Sequence, residues 1–228
     1  MYKRQVLGPR NGKYAYDGTP NPMPGSNIPM AALGAWILWL GWFGFNGGSE
    51  LKVSEVSSAT AVSQVFLNTN MAAAGGVLTA MLMSLIMTGK MDVTMAINGA
   101  IAGLVSITAD PLSPSGGMAI LVGAIGGAIV YFSIVFLENA GVDDPVGAIS
   151  AHGTVGIFGV LAVAFTGGAS FMGQLIGVLM IAGFTYLASL GTILVIDKLI
   201  MPIRASDAEQ EAGLDISEVG IEAYPEFK

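Results

Sequence analysis

The sequence predicts an all-α integral membrane protein with six transmembrane helices. Of its 228 residues, 53% are hydrophobic and only 11% are charged, whereas about a quarter of the residues in soluble domains are charged. The apolar residues fall into six stretches separated by short polar turns, and about 20 such residues let a helix cross a bilayer. The acidic excess lies towards the C-terminus, and no basic surface for nucleic acid is present.

The chain begins with a polar segment and two apolar stretches. Residues 1–28 are basic and rich in Pro, Gly and Asn without apolar periodicity, as in a cytoplasmic loop. Residues 29–46 are packed with aromatic side chains and predict the first span. A polar turn at 47–54 precedes the second span, 55–88, which is longer than a bilayer requires and can therefore tilt or project beyond it.

Short turns containing Gly, Pro or Asp delimit the other four spans. These predicted spans cover residues 93–109, 116–137, 144–166 and 170–203. We expect Asp144 to cap the helix that starts there, with Pro145 at the first helical position. The predicted transmembrane domain is therefore 29–203, and the polar residues 204–228 form a solvated cytoplasmic tail.

The distribution of Lys and Arg predicts the orientation. With six spans, both termini lie on one side of the membrane. Only Lys52 falls on the opposite side, while Lys and Arg at eight positions share the side of the termini: Lys3, Arg4, Arg10, Lys13, Lys90, Lys198, Arg204 and Lys228. The positive-inside rule therefore places both ends in the cytoplasm, with the chain in the cytoplasmic membrane.

His152 is the only histidine, and the chain has no cysteine, so the usual zinc site of His and Cys ligands is excluded. If the helix starts at Pro145, His152 lies about 10 Å along it. An ionisable group at that depth usually faces a bundle interior or a pathway. Apolar surroundings favour the neutral imidazole, whose donor and acceptor can pass a small solute onward or exchange a proton. The alternative is a structural histidine satisfied by a neighbouring helix.

A second candidate lies at the extracellular end of the first span, where glycines flank Phe45. The ring of Phe45 can line a cavity and attract a small desolvated cation through its face. The hydroxyl of Ser49 accepts hydrogen bonds from a solute that donates them. Together they suit a cation that is held weakly and released.

Small and polar residues within the spans have a structural interpretation. The pairs Gly99/Gly103 and Gly123/Gly127 let helices approach closely. Polar residues such as Asn68 and Asn98 favour interhelical hydrogen bonds over substrate contacts.

Several motifs, in this order, resemble the C-terminal half of ammonium transporters of the Amt/Mep/Rh type. They cover nearly the whole chain: 37–49 (ILWLGWFGFNGGS), Asn68-Thr69, 98–105 (NGAIAGLV), Asp143-Asp144-Pro145 through His152-Gly153, and 213–218 (GLDISE).

The resemblance implies the second half of an eleven-helix fold, in which two inverted five-helix repeats enclose a narrow pore and a long eleventh helix packs outside. It also implies a homotrimer, with a PII-type regulator docking near the cytoplasmic tail, and no cofactor. Because Met1 falls where a cytoplasmic loop is expected, we expect a truncated part of a longer transporter; the alternative is a chain that requires partner chains.

Carried over by position, Phe45 resembles one of two gating phenylalanines and Ser49 the hydroxyl of the outer ammonium site. His152 resembles the second of two paired pore histidines, and Trp42 is a further pore-lining candidate. The first pore histidine, the other phenylalanine and the outer-site tryptophan belong to the half that has no counterpart here.

The predicted function is passage of ammonium or ammonia across the cytoplasmic membrane through a pore with an outer aromatic gate and a central histidine. The alternative is a non-conducting ammonium sensor or regulatory protein on the same scaffold. A membrane enzyme is disfavoured, because no acid–base or metal constellation is readable in the sequence.

Overall fold

The computed structural model describes residues 7–225, and apart from one isolated β-bridge their regular structure is entirely helical. Lys3, Arg4 and Lys228, which the orientation argument counts, lie outside the described residues. The helices are α1 (Ile28–Gly48), α2 (Val56–Thr88), α3 (Val93–Ile107), α4 (Gly116–Asn139), α5 (Ile149–Thr166), α6 (Phe171–Ile200) and α7 (Asp207–Ala212).

Five of these helices are long and apolar enough to cross a membrane, namely α1, α2, α4, α5 and α6. The third predicted span is shorter than expected. Helix α3 has 15 residues, a length of about 22 Å against a hydrocarbon core of about 30 Å. It ends at Ile107, with Thr108 as its C-cap, just before the turn that contains Pro111 and Pro114, and the expectation of six full-length spans is not confirmed for this element.

Local side-chain and backbone chemistry sets several helix ends. The side chain of Asn27 accepts a hydrogen bond from the Met30 amide at 2.9 Å and caps α1. Helix α2 ends at Gly89, whose φ of 76° is in the left-handed region that glycine tolerates. The carboxylate of Asp92 then accepts from the Thr94 amide at 2.7 Å and starts α3.

The described residues form two compact units. One is a helical bundle made of Pro24–Leu137 and Asp144–Ala182. Its centre is α3, in which eight of the 15 residues are buried, including Leu104 and Ile107. Val130 of α4 and Val155 of α5 are also fully buried there. The shortest apolar helix is thus the core of the bundle.

Glycines let the backbones of α2, α3 and α4 touch. The carbonyl oxygen of Ala72 lies against Gly103 of α3 and Gly123 of α4, and that of Gly76 lies against Gly99 and Gly127. A Cβ at any of these four glycines would overlap a backbone carbonyl. The expectation of close helix contacts at Gly99/Gly103 and Gly123/Gly127 is confirmed.

The second unit consists of residues 7–23, Glu138–Asp143 and 183–225. Here the side chain of Asp143 is only 3% exposed and accepts three hydrogen bonds from Arg10: from Nε and the backbone amide to Oδ2 and from Nη2 to Oδ1, each at 2.9 Å. Lys13, also buried, pairs with Glu138 and donates to the Asn21 carbonyl at 3.2 Å. These pairs hold residues 7–23 to the C-terminal end of α4 and to the loop that follows it.

The tail is more ordered than its composition suggests. Ser206 and Glu209 form a reciprocal capping box that starts α7, and a π-helical turn follows at Asp215–Val219. Asn11 binds the tail with its side-chain amide, donating to Asp207 Oδ1 at 2.9 Å, and with its backbone amide, donating to Gln210 Oε1 at 3.2 Å. The guanidinium of Arg204 donates to the Leu7 carbonyl and to Asn11 Oδ1.

The Arg10–Asp143 contact should depend on pH. Burial alone would raise the pKa of the Asp143 carboxyl, but the hydrogen bonds and charge of Arg10 outweigh it and hold that pKa below its ordinary value. The contact therefore stabilises the unit fully above the ordinary Asp pKa and is lost as the pH falls through the lowered folded-state value. Since Arg10 is 42% exposed, we expect Asp143→Asn to cost about 1–2 kcal/mol.

Hydrogen exchange of the Arg10 amide, which donates to Asp143, measures this loss directly. Asp17→Asn is the matched control, because Asp17 lies in the same segment and its carboxylate accepts hydrogen bonds from Thr19 and not from Arg10. Equal protection of the Arg10 amide in both variants at neutral pH would contradict the prediction.

Candidate functional site

The C-terminal half of α1 presents two aromatic rings one turn apart. Phe45 is 63% exposed, and its ring centroid lies 5.7 Å from that of Trp42 with the planes tilted by 55°. Trp42 is half-buried and packs against the core of the bundle. This part of α1 therefore forms an open aromatic surface backed by the core.

Ser49 lies just beyond the end of α1 and is exposed. Its hydroxyl donates to the carbonyl oxygen of Phe45 at 2.8 Å. With its hydrogen engaged in this way, the oxygen keeps lone pairs free to accept hydrogen bonds. The Ser49 oxygen can therefore accept hydrogen bonds from a donor outside the helix.

The helix that carries His152 starts later than predicted. Gly147 adopts a φ of 74°, and the carboxylate of Asp144 reaches across the turn to accept from the amides of Ile149 at 2.9 Å and Ser150 at 3.3 Å. Asp144 does cap the helix, but Pro145 lies in the preceding turn. His152 is therefore about 4.5 Å along the helix, not about 10 Å.

The first turn of α5, Ile149–Thr154, is π-helical, a conformation often found at functional sites. A hydroxyl of α4 secures it: Ser133 Oγ donates to Ser150 Oγ at 3.0 Å and lies 3.0 Å from Thr154 Oγ1. The turn before α5 packs closely against α3. A Cβ at Gly147 of this turn would overlap the side chain of Asn98 in α3. In the sequence, His152 lies midway between Ser150 and Thr154, the two residues of α5 whose hydroxyls contact Ser133.

The imidazole of His152 is exposed, unlike the enclosed ring that the sequence predicts. The ring stacks on Trp42 with centroids 6.3 Å apart and planes inclined by 20°. All four candidate residues are thus linked in one row, Ser49 to Phe45 to Trp42 to His152.

Thr108 is a neighbour of this row that the sequence does not single out. Its Oγ1 accepts the indole N–H of Trp42 at 2.8 Å and donates its own hydrogen to the Leu104 carbonyl at 2.7 Å. Thr108 follows α3 and lies 66 positions away from Trp42. The contact depends on how α1 packs on α3, so no local pattern predicts it.

The polar residues inside the spans mostly serve structure, although Asn98 donates to the Thr94 carbonyl of its own helix at 3.0 Å and not to another helix as expected. Asn68 is fully buried and donates to the carbonyls of Pro111 and Pro114 at 3.0 and 2.7 Å, which fixes the turn after α3. Asn46 donates to Thr69 Oγ1 at 3.0 Å and ties α1 to α2. Within residues 7–225, no group of three His, Asp or Glu side chains is placed to hold a metal.

Comparison with known proteins agrees with the resemblance seen in the motifs. The sequence model of the Ammonium Transporter Family matches residues 3–224. The chain is 40% identical over 242 residues to ammonium transporter Amt2 of Archaeoglobus fulgidus, covering 97% of the chain and 51% of the relative. It is 37% identical over 233 residues to Amt2 of Methanocaldococcus jannaschii, covering 97% and 52%.

Solved structures show the same architecture. A protein described as a Sensor Amt Protein superposes with a TM-score of 0.85 at 33% identity, covering 92% of the chain and 54% of that protein. Mep2 of Candida albicans gives a TM-score of 0.71 at 27% identity, covering 81% and 44%. The chain spans about half the length of the relatives it matches.

Proposed function

The chain belongs to the ammonium transporter family, and we propose on that premise that it forms one wall of a path by which ammonium or ammonia crosses the membrane. The observation that carries the proposal is the continuous row of Ser49, Phe45, Trp42 and His152, in which only Trp42 is half-buried. From Ser49 to Trp42 the row runs about 10 Å along α1. It then continues onto the π-helical turn of α5.

The chemistry of the row suits a small cation that enters with its proton and crosses without it. The Ser49 oxygen accepts an ammonium N–H and the Phe45 face attracts the charge, which recruits the cation. Further along, Trp42 offers ring surface and His152 a nitrogen that accepts hydrogen bonds or a proton. Potassium has no N–H donors and cannot shed a proton, so this order of groups discriminates against it.

The row is one side of the path in this proposal. The chain acts as the second repeat and last helix of an eleven-helix transporter, in which the inverted first repeat closes the pathway. Its single histidine then pairs with a second pore histidine supplied by the other repeat. The exposure of His152 and Phe45 supports a partner surface across this face.

The proposed assembly is a homotrimer with both ends of this chain in the cytoplasm. A PII-type regulator then docks near the tail, where the capping box of Ser206 and Glu209 and the contacts of Asn11 give α7 a defined position within its unit. Family membership supports this arrangement, as does the excess of Lys and Arg on the side of the termini.

A sensor is the second candidate, because a protein described as a Sensor Amt Protein is a structural neighbour with a TM-score of 0.85. A sensor would use the same row to bind ammonium and report it without moving it. Binding without uptake is the outcome that separates the two functions.

The test is a chimera in which residues 1–228 replace the aligned segment of Archaeoglobus fulgidus Amt2. We expect it to restore growth on low ammonium and methylammonium uptake in a host that lacks ammonium transport. The unmodified relative is the positive control, and membrane insertion is verified for both. An inserted chimera that binds methylammonium but moves none contradicts transport and favours the sensor.

A further inference from the structure

The geometry points to Thr108 as a positioning residue for the path: its hydroxyl accepts the indole N–H of Trp42, holds that ring against His152 and withdraws the polar group of Trp42 from the solute. This inference rests on the proposed function for its effect on transport. The contact itself, at 2.8 Å, stands independently of it.

The direction of the two hydrogen bonds at Thr108 is fixed. The Leu104 carbonyl can only accept, so the Thr108 hydroxyl donates its hydrogen there, at 2.7 Å. The indole of Trp42 has one N–H donor and no acceptor. Oγ1 of Thr108 must therefore be the acceptor of this N–H, and Trp42 has no polar group left for a passing solute.

The hydrogen bond from Trp42 to Thr108 also fixes the orientation of the indole ring. An indole pinned at Nε1 and packed on the bundle core has little freedom to turn about its side-chain bonds. Pinned in this way, it lies nearly parallel to His152, at 20°, and tilted at 55° to Phe45. Trp42 thus presents ring surface, and no donor, between the outer acceptor Ser49 and the imidazole.

Because its N–H is engaged, Trp42 offers a passing solute no hydrogen-bond donor. Water and ammonia both carry a lone pair that a free indole N–H would bind, which would hold them between Phe45 and His152. With the N–H engaged by Thr108, neither is retained, and the next polar group a solute meets is the imidazole. The hydroxyl of Thr108 therefore speeds passage without touching the solute.

Thr108→Val tests the inference because valine keeps the shape of threonine and lacks the hydroxyl. The first readout is the indole N–H resonance of Trp42 in the chain labelled with ¹⁵N-tryptophan, which has three tryptophans and is assigned through Trp42→Phe. We expect Thr108→Val to move this resonance upfield and to speed its solvent exchange about fivefold. Thr108→Ser should restore both values.

The matched control is Thr60→Val, since the exposed Thr60 hydroxyl bonds only to the Val56 carbonyl of its own helix. It should leave the Trp42 resonance unchanged. An unchanged resonance in Thr108→Val overturns the inference. If Thr108→Val does not fold, Thr108→Ala, which also removes the hydroxyl, is measured in its place, with the same expected and overturning outcomes.

The second readout is methylammonium uptake by the chimera with Amt2. Since Ser49 and Phe45 are untouched, we expect Thr108→Val to leave KM unchanged and to lower the maximal rate about fivefold. Trp42→Phe lowers uptake by itself, and adding Thr108→Val to it should cost nothing more, because the two groups act as one pair.

The two readouts separate the inference from the function on which it rests. A shifted resonance with unchanged uptake kinetics in a working chimera overturns the role of Thr108 in transport and leaves the proposed function intact. A shifted resonance in a chimera that inserts but never transports contradicts the proposed function, while the positioning of Trp42 by Thr108 stands.

Discussion

Replacing His152 by alanine is expected to lower ammonium uptake by the chimera about 100-fold. The substitution removes the imidazole that follows Trp42 in the row, and with it the nitrogen that we propose accepts hydrogen bonds or a proton from the solute. It should cost little stability, because the side chain is exposed and its ring packs on Trp42 alone among the aromatic rings of residues 7–225. Uptake of labelled methylammonium measures the rate, and competition by potassium measures the selectivity.

Ile157→Ala is the matched control for this variant. Ile157 lies on the same helix, is 43% exposed and takes no part in the row. It should transport like the unmodified chimera. If His152→Ala keeps both the rate and the discrimination against potassium, the imidazole is not on the path and the proposed role of the row is lost.

Much of the architecture could be predicted because helix length and apolar composition are local properties. The second predicted span, 55–88, coincides with α2 (Val56–Thr88) to within one residue, since Gly89 can end a helix in a way that few other residues allow. Helix α3 departed from expectation at its C-terminal end, where Thr108 and Asp110 precede two prolines. The sequence shows that α3 is apolar, but neither its composition nor its length indicates that it is the buried centre of the bundle.

The residues of the candidate row could be named from the sequence, but their geometry could not. Phe45, Ser49 and His152 stand out as single residues with unusual surroundings in the sequence. Their connection depends on the position of His152, which is set by the left-handed φ of Gly147 and the reach of the Asp144 carboxylate. A helix that starts at Pro145 would place the imidazole about 6 Å further along the helix.

The contacts of Thr108 and Asn11 could not be predicted from the sequence. Each joins residues far apart in the chain: Thr108 meets Trp42 66 positions away, and Asn11 meets Asp207 196 positions away. Neither residue type nor spacing carries a signal for such pairs. They follow only from the packing of helices whose close approach depends on small residues.

That close approach leads to the largest expected effect on stability. Gly123→Ala should destabilise the bundle by about 3 kcal/mol or more, because the new Cβ overlaps the carbonyl oxygen and Cα of Ala72. These are backbone atoms of a helix that also touches Gly103 of α3, so no side-chain rotation relieves the clash. The helices α2 and α4 must separate, and the packing around Ala72 is lost. Thermal unfolding of the chain in detergent measures the change.

Gly117→Ala in the same helix is the matched control, since a Cβ there meets nothing within 4 Å. Alanine at an unobstructed helical glycine is neutral or stabilising by up to about 1 kcal/mol. The two variants make the same chemical change in one helix, so a difference between them isolates the contact with Ala72. If both shift the unfolding midpoint equally, the approach of α4 to α2 is not as close as described. If Gly123→Ala alone unfolds early and exchanges its Ala72–Gly76 amides faster, this backbone contact stabilises the scaffold that positions Trp42 and His152.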